Sequence, residues 1–396
     1  MNSLQLQSLQ NYFQKNKLIV LDKHLKEISF DFDNYIKRLK NIYEKGYTSY
    51  HYIGENPIEI LSLIYFKLEN GIELTLGDPN YDLKNFKLSE IDNLYIEKNG
   101  LNKFFIFTSG TTGEPKKTEV NLDHLLENIK VTKNENLTWL LTYNSTSFAG
   151  LQVILTAFLS DNMLFASSTS NSINQLLKIV DKFNISAISA TPTFWRVLMN
   201  TKQIKKMNLS LITLGGEIVD EQILKKLTRV FPSVKITQIY ATTELGKIFT
   251  VNDNRSGFPL TYLDKYDLKI TNSELFVKFN NNYVSTKDYV EISGDRVNFV
   301  GRNVDFIKVA GNKVNINNIE QNIIKLPNVM DANLKTSPSI IVGNILVLDI
   351  VLEQDGINER SELKKMLRNN LQPFEVPKLI NFIDSLNTNS NLKKSK

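Results

Sequence analysis

The stretch Phe107-Thr108-Ser109-Gly110-Thr111-Thr112-Gly113-Glu114-Pro115-Lys116-Lys117 constrains this chain more than any other. It follows the apolar run Lys103-Phe104-Phe105-Ile106-Phe107, which reads as a strand, and packs hydroxyls, glycines and lysines into one short turn. Glycines let backbone N–H groups converge on an oxyanion, hydroxyls add donors, and a lysine supplies charge. The turn therefore reads as a phosphate cradle at a strand end. It lacks the Walker spacing Gly-x-x-x-x-Gly-Lys-[Ser/Thr], because Lys116 stands three residues after Gly113 with Pro115 between them.

The surrounding pattern alternates helices and strands. Tyr50 to Ile53 is strand-like, Asn56-Pro57 marks a helix start, Asn70-Gly71 a helix end, and Ile72 to Leu76 another strand. Strand, helix, strand in that order implies parallel pairing. The alternation resumes after the cradle. Trp139 to Tyr143, Met163 to Ala166, Ala187 to Ala190 and Leu211 to Leu214 read as short buried strands. Helices over Gly150 to Leu159, Asn174 to Phe183 and Asp220 to Val230 separate them. Ligands are then expected at the carboxyl ends of the strands. From Asp267 the texture becomes strand-rich, and beyond Arg302 a further unit has helices over Asn317 to Lys325 and Ser361 to Asn370, with strands near Ile340 and Leu346 to Leu352.

At 396 residues the chain has room for one large and one smaller domain. No apolar run approaches the roughly 20 residues that cross a bilayer. The N-terminus shows no basic stretch leading into an apolar core, so no secretory signal is expected. Zero cysteines excludes disulfides, thiolate metal sites and cysteine nucleophiles, and agrees with a cytoplasmic location. The net charge of +5 is small, and lysines alternate with acids, so no nucleic-acid partner is expected. The one dense basic cluster is Lys393-Lys394-Ser395-Lys396 at the end. The three histidines, His24, His51 and His124, are expected on the surface or on helices.

Four further segments follow the cradle in order: Tyr240-Ala241-Thr242-Thr243-Glu244, Asp288, Gly301-Arg302 through Gly311, and Lys393. This series resembles the adenylate-forming superfamily of acyl-CoA synthetases, aryl-acid ligases, luciferases and peptide-synthetase adenylation domains. The resemblance runs from about residue 50 to the end. It implies an α/β fold: a large N-terminal domain (1–301) with stacked, mostly parallel sheets and a small β-rich subdomain, then a small α+β C-terminal domain (302–396). The joint is expected near Arg302 to Asp305, with Asp305 one place later than the usual pivot.

By that resemblance, Thr108, Ser109, Gly110, Thr111, Thr112, Gly113 and Lys116 hold the β- and γ-phosphates of ATP. Lys117 stands where many relatives have glycine, and either adds to phosphate attraction or does nothing. Tyr240 stacks on adenine beside Ala241 and Thr242, Thr243 bonds the α-phosphate, and Glu244 helps hold Mg²⁺. Gly215, Gly216 and Glu217, at a strand end, border adenine and the acyl pocket. Asp288 receives the ribose hydroxyls, a fitting partner for two O–H donors; its alternative is an exposed turn residue. Arg302 contacts ribose or phosphate, and Lys393 reaches the carboxylate and α-phosphate; the alternative for Lys393 is a plain basic tail. Lysine replaces glycine at Lys287, as alanine does at Ala241.

The chemistry implied is activation of a carboxylic acid by ATP, in which an anion must approach an anion and needs donors aimed at the α-phosphate. Phe148, Leu151, Thr191 and Gly215 are expected to line the acid pocket. Phe148 occupies the place of the aspartate that binds an α-amino group in peptide-synthetase relatives, and a buried ammonium without a carboxylate is costly. A short acyl or aryl acid is therefore expected. With no cysteine, the accepting thiol is external: the pantetheine of CoA or of an acyl carrier protein. Two alternatives remain, a degenerate non-catalytic nucleotide binder and an o-succinylbenzoate-type acyl-CoA ligase.

Overall fold

Local chemistry sets the helix ends. Asn56 caps α2 (Pro57–Asn70), with Pro57 in the first turn and Gly71 at φ 67° closing it in the left-handed conformation that glycine tolerates. Asp31 caps α1 (Phe32–Glu44), Ser147 caps α4 (Phe148–Leu159), Asp220 caps α7 (Glu221–Val230), and Asn315 caps α9 (Ile316–Ile324). Further helices are α3 (Leu122–Glu127), α5 (Ile173–Lys182), α6 (Pro192–Met199), α8 (Tyr262–Lys265) and α10 (Ile357–Asn370). The computed structural model describes residues 11–77, 87–109, 115–127, 136–167, 173–199, 206–279, 281–302, 306–309, 312–339, 343–353 and 357–386, with residues 129, 131, 201 and 204.

Among the described residues, a seven-stranded sheet has the order β1 (Leu18–Leu21), β9 (Met163–Ser167), β8 (Thr138–Leu141), β10 (Ala187–Ala190), β11 (Leu211–Leu214), β12 (Lys235–Thr242), β13 (Gly246–Val251). Its pairings are parallel except the last, where β12 and β13 run antiparallel. A six-stranded sheet has the order β4 (Lys87–Leu88), β5 (Leu94–Glu97), β2 (Ser49–Tyr52), β3 (Glu73–Leu76), β6 (Phe104–Ser109), β7 (Pro115–Glu119). Its centre, β2, β3 and β6, is parallel.

Alternation along β8 shows how the layers stack. Trp139 and Leu141 join a core that includes Tyr50, Leu74 and Ile106 of the six-stranded sheet and Leu61 and Leu151 of α2 and α4. Leu140 faces the other way, with Ile188, Ile212, Trp195 and Leu224, under α6 and α7. The first sheet is thus buried on both faces, which is why its strands read as apolar runs.

An antiparallel sheet follows: β14 (Phe258–Pro259), β18 (Arg296–Arg302), β17 (Asn282–Ser293), β16 (Glu274–Phe279), β15 (Leu268–Thr271). Phe249, Phe258, Leu275, Val290 and Val297 form its core. Beyond it come the pair β19 (Phe306–Val309) and β20 (Asn312–Asn315), and a sheet of β21 (Val329–Ser339), β22 (Gly343–Leu352) and β23 (Leu379–Phe382). Val309, Ile323, Leu334, Leu348 and Leu367 share a separate core there. The strand expected around Ile340 falls outside the described residues at that position, between β21 and β22. One expectation is corrected: His51 lies on β2, wholly buried, with Nε2 3.0 Å from the carbonyl of Gly77. Its neighbours Tyr50 and Tyr52 are equally buried, so this strand carries its polar ring inside.

Candidate functional site

Parallel strands β10, β11 and β12 end side by side and deliver Thr191, Gly215 and Tyr240 to one edge of the first sheet. At Thr191 the hydroxyl accepts from the N–H of Phe194, so it fixes the first turn of α6. Gly216 has φ +81°, and this turn brings Glu217 back to accept from the N–H of Thr193 at 3.0 Å. Tyr143, just past β8, is buried and donates its hydroxyl toward the Gly215 carbonyl at 3.4 Å. It was not anticipated; its one sequence signal is an aromatic with a polar tip directly after an apolar strand. Phe148 is half-buried as the first residue of α4. Leu151, one turn on, has no exposed surface and belongs to the main core.

The segment expected to hold phosphate lies between β6 and β7. Antiparallel register sets Thr108 opposite Lys116 and Ser109 opposite Pro115, so the hairpin folds the basic pair back along the hydroxyl-bearing strand. Gly110, Thr111, Thr112 and Gly113 lie outside the described residues, as do the side chains of Thr108 and Ser109. Lys116 is exposed. Lys117 has a different place: its Nζ sits 4.2 Å from the centre of the Phe105 ring and 3.7 Å from Glu73 Oε1. Neither reading of that lysine included this packing against the sheet, which holds its charge beside Phe105 and Glu73.

Three of the separated segments meet in one place. The Tyr240 hydroxyl donates to Asp288 Oδ2 at 2.6 Å, and Arg302 Nε donates to Asp288 Oδ1 at 2.8 Å. Asp288 is 9% exposed, which removes the exposed-turn alternative. Burial, then the adjacent Asp288 carboxylate, push the Tyr240 phenol well above its usual range, so it stays a donor. Burial opposes the charge on Arg302, but Asp288 outweighs it and raises the guanidinium. Glu244 is exposed and adds to the field that raises Arg302.

Local backbone explains how the substituted glycines are accommodated. Ala241 sits where β12 shifts register against β13, and it is not among the residues with left-handed backbone. Alanine therefore costs nothing special there. Lys287 has φ +62°, the conformation glycine takes without penalty. Thr242 Oγ1 accepts from the N–H of Leu245, closing the link from β12 to β13, and Thr243 beside it is half-buried.

Among the described residues no cluster of three or more His, Cys, Asp or Glu is poised to hold a metal. A lone exposed carboxylate at Glu244 fits Mg²⁺ that keeps phosphates and waters as its other ligands. Lys393, Val304, Asp305 and Gly311 lie outside the described residues. No helix among those described is long and apolar enough to cross a membrane.

Residues 96–278 match the family described as AMP-binding enzyme. A 2-succinylbenzoate–CoA ligase of Lactococcus lactis subsp. lactis (strain IL1403) is 22% identical over 405 residues, covering 95% of this chain and 83% of that protein. An anthranilate CoA ligase solved with anthranoyl-AMP superposes with a TM-score of 0.73 at 13% identity, over 98% of this chain and 95% of that one. ATP-bound MatB from Rhodopseudomonas palustris gives a TM-score of 0.70 at 15% identity, over 97% and 96% of the two chains. At such identities the solved structures speak for a shared fold.

Proposed function

We propose that the chain is an adenylate-forming enzyme, a reading that the AMP-binding match over residues 96–278 supports, and that it joins a small carboxylic acid to a thiol through an acyl-adenylate. In the first step a carboxylate oxygen attacks the α-phosphorus of MgATP, forming acyl-AMP and releasing pyrophosphate. In the second, a pantetheine thiol attacks the acyl carbon, forming a thioester and releasing AMP. The meeting of Tyr240, Asp288 and Arg302 carries the proposal, because a buried carboxylate oriented by two donors suits a ribose diol.

Around it, Thr108, Ser109, Gly110, Thr111, Thr112, Gly113 and Lys116 cradle the leaving phosphates. Thr243 binds the α-phosphate, Glu244 shares the Mg²⁺ of the incoming MgATP, and Lys393 neutralises charge between carboxylate and phosphate. Gly215, Gly216 and Glu217 border the nucleotide and the acid, with Phe148, Leu151 and Thr191 toward the acid side. The large unit is residues 1–301 and the small one 302–396, a division supported by the separate core of the C-terminal strands and helices. The acceptor is CoA, as in the name of the Lactococcus relative, or an acyl carrier protein. A cytoplasmic location, where ATP and CoA are both at hand, fits this reading.

The reading in which the fold has lost catalysis is weakened at two positions. Ala241 needs no glycine, and Lys287 keeps the backbone that a glycine would adopt. Incubating the protein with MgATP, a panel of short acyl and aryl acids including 2-succinylbenzoate, and either CoA or a phosphopantetheinylated carrier tests the proposal. Mass spectrometry should show an acyl thioester and an equal amount of AMP. Formation of ADP in place of AMP would refute it.

A further inference from the structure

Asp288 is aimed by a bulge. Pairing between β16 and β17 jumps from Phe276↔Ser285 to Glu274↔Tyr289, so Thr286, Lys287 and Asp288 stand against Leu275 alone. Thr286 Oγ1 donates to the Leu275 carbonyl at 2.8 Å and accepts from the N–H of Asp288 at 3.2 Å. The chain turns at Lys287 and presents the Asp288 carboxylate to a tyrosine on another sheet. Tyr240 is itself held in place. Its ring centre lies 5.0 Å from that of Phe249, its cross-strand partner, and 4.7 Å from that of Phe299 on β18.

Each carboxylate oxygen has two acceptor positions. Tyr240 occupies one position on Oδ2 and Arg302 one on Oδ1, which leaves a position on each oxygen for a pair of vicinal hydroxyls. A carboxylate free to rotate about its terminal bond would meet both hydroxyls only part of the time. A donor fixed by two phenylalanines removes that freedom.

We propose that the Tyr240 hydroxyl is a positioning group: it locks the rotation of Asp288 so that both carboxylate oxygens face the 2′- and 3′-hydroxyls of a bound nucleotide, and thereby sets selectivity for ribose. This rests on the nucleotide reading of Asp288 and adds to it a role for the phenol that is separate from any contact of the ring with the base. Tyr240→Phe keeps the ring and its aromatic packing and removes one donor to an ionised acceptor, a charge-assisted bond.

The test compares ATP, 2′-deoxy-ATP, 3′-deoxy-ATP and GTP in acid-dependent pyrophosphate exchange by the full chain. Tyr240→Phe should raise KM for ATP about tenfold, with the loss in KM and not in kcat. The preference for ATP over both deoxy analogues should fall by a similar factor, while the preference for ATP over GTP stays. In an Asp288→Asn background the same substitution should leave the ribose preference where it was. An unchanged ratio of ATP to deoxy analogues in Tyr240→Phe would overturn the proposal, as would an equal effect in both backgrounds. Wild-type protein that shows no ribose preference at all would instead overturn the assignment of Asp288. If Tyr240→Phe does not fold, Arg302→Lys in place of it removes the geometry of the second donor, and an unaltered ribose preference there also counts against the lock.

Discussion

Arg196 of α6 and Asp331 of β21 face each other at 3.8 Å with side chains only 7% and 6% exposed. The same guanidinium pairs with Asp220, the cap of α7. Burial opposes the charge on Arg196, yet Asp331, Asp220 and Glu217 outweigh it and keep the group ionised. One buried cation therefore ties the C-terminal sheet to the two helices beside the strand ends. Lys226 and Glu353 make a second, more exposed pair along the same seam.

Removing one member of a buried pair leaves the other charge desolvated and uncompensated, which costs about 3–5 kcal/mol. Arg196→Ala, which takes the cation from Asp331 and Asp220 at once, should lose stability on that scale in urea unfolding. Lys226→Ala, at an exposed pair, should lose less than about 1 kcal/mol. Equal losses in the two variants would contradict this account of the seam.

Lys287 holds a backbone conformation that costs a non-glycine residue about 1 kcal/mol or somewhat more. Its side chain is exposed. Lys287→Gly should raise the unfolding free energy by roughly 1 kcal/mol, less the entropy that glycine loses on folding. A drop in melting temperature would show that the lysine has another task.

Gly150 lies in the first turn of α4, where an added Cβ would sit 2.0 Å from the carbonyl oxygen of Asn144. That is backbone and has little room to retreat. Gly150→Ala should cost about 1–3 kcal/mol in urea unfolding and displace the start of α4 together with Phe148, the residue proposed to face the acid. Ser147→Ala, which removes the cap and the hydroxyl's bond to the Asn144 carbonyl, should cost about 1–2 kcal/mol.

A fourth outcome concerns pH. Burial disfavours the charged form of Asp349, but the bonds from Asn381 and Lys335 prevail and hold its pKa below the usual value. A lowered carboxyl adds stability that is present above the unfolded pKa of about 4 and is lost as pH falls through the folded one. Asp349→Asn should therefore lower stability at neutral pH and flatten its decline below about pH 4, followed by thermal unfolding at successive pH values.

What the chain order conveyed, and what it hid, follows from the range of the interactions. Asn56, Pro57 and Gly71 act within one helix, so the bounds of α2 were readable from them. The approach of Tyr240 to Asp288 was readable only through motif order, because nothing between them signals that β12 and β17 meet. The bulge at Thr286 to Asp288 depends on which residue of β16 lies opposite, a matter of register. His51 was misplaced because a lone polar residue between two tyrosines gives no hint that both faces of its strand are covered. Arg196 sits in an amphipathic helix where an exposed cation is the ordinary expectation, and its carboxylate partners come from distant segments.

Isotope exchange between pyrophosphate and ATP, driven by one acid after another, bears most directly on the whole account. Wild-type protein should exchange with at least one small acyl or aryl acid, and Asp288→Ala, with its far-UV spectrum intact, should lose about 100-fold in kcat/KM for ATP. No exchange with any acid, or exchange undiminished in Asp288→Ala, would contradict it.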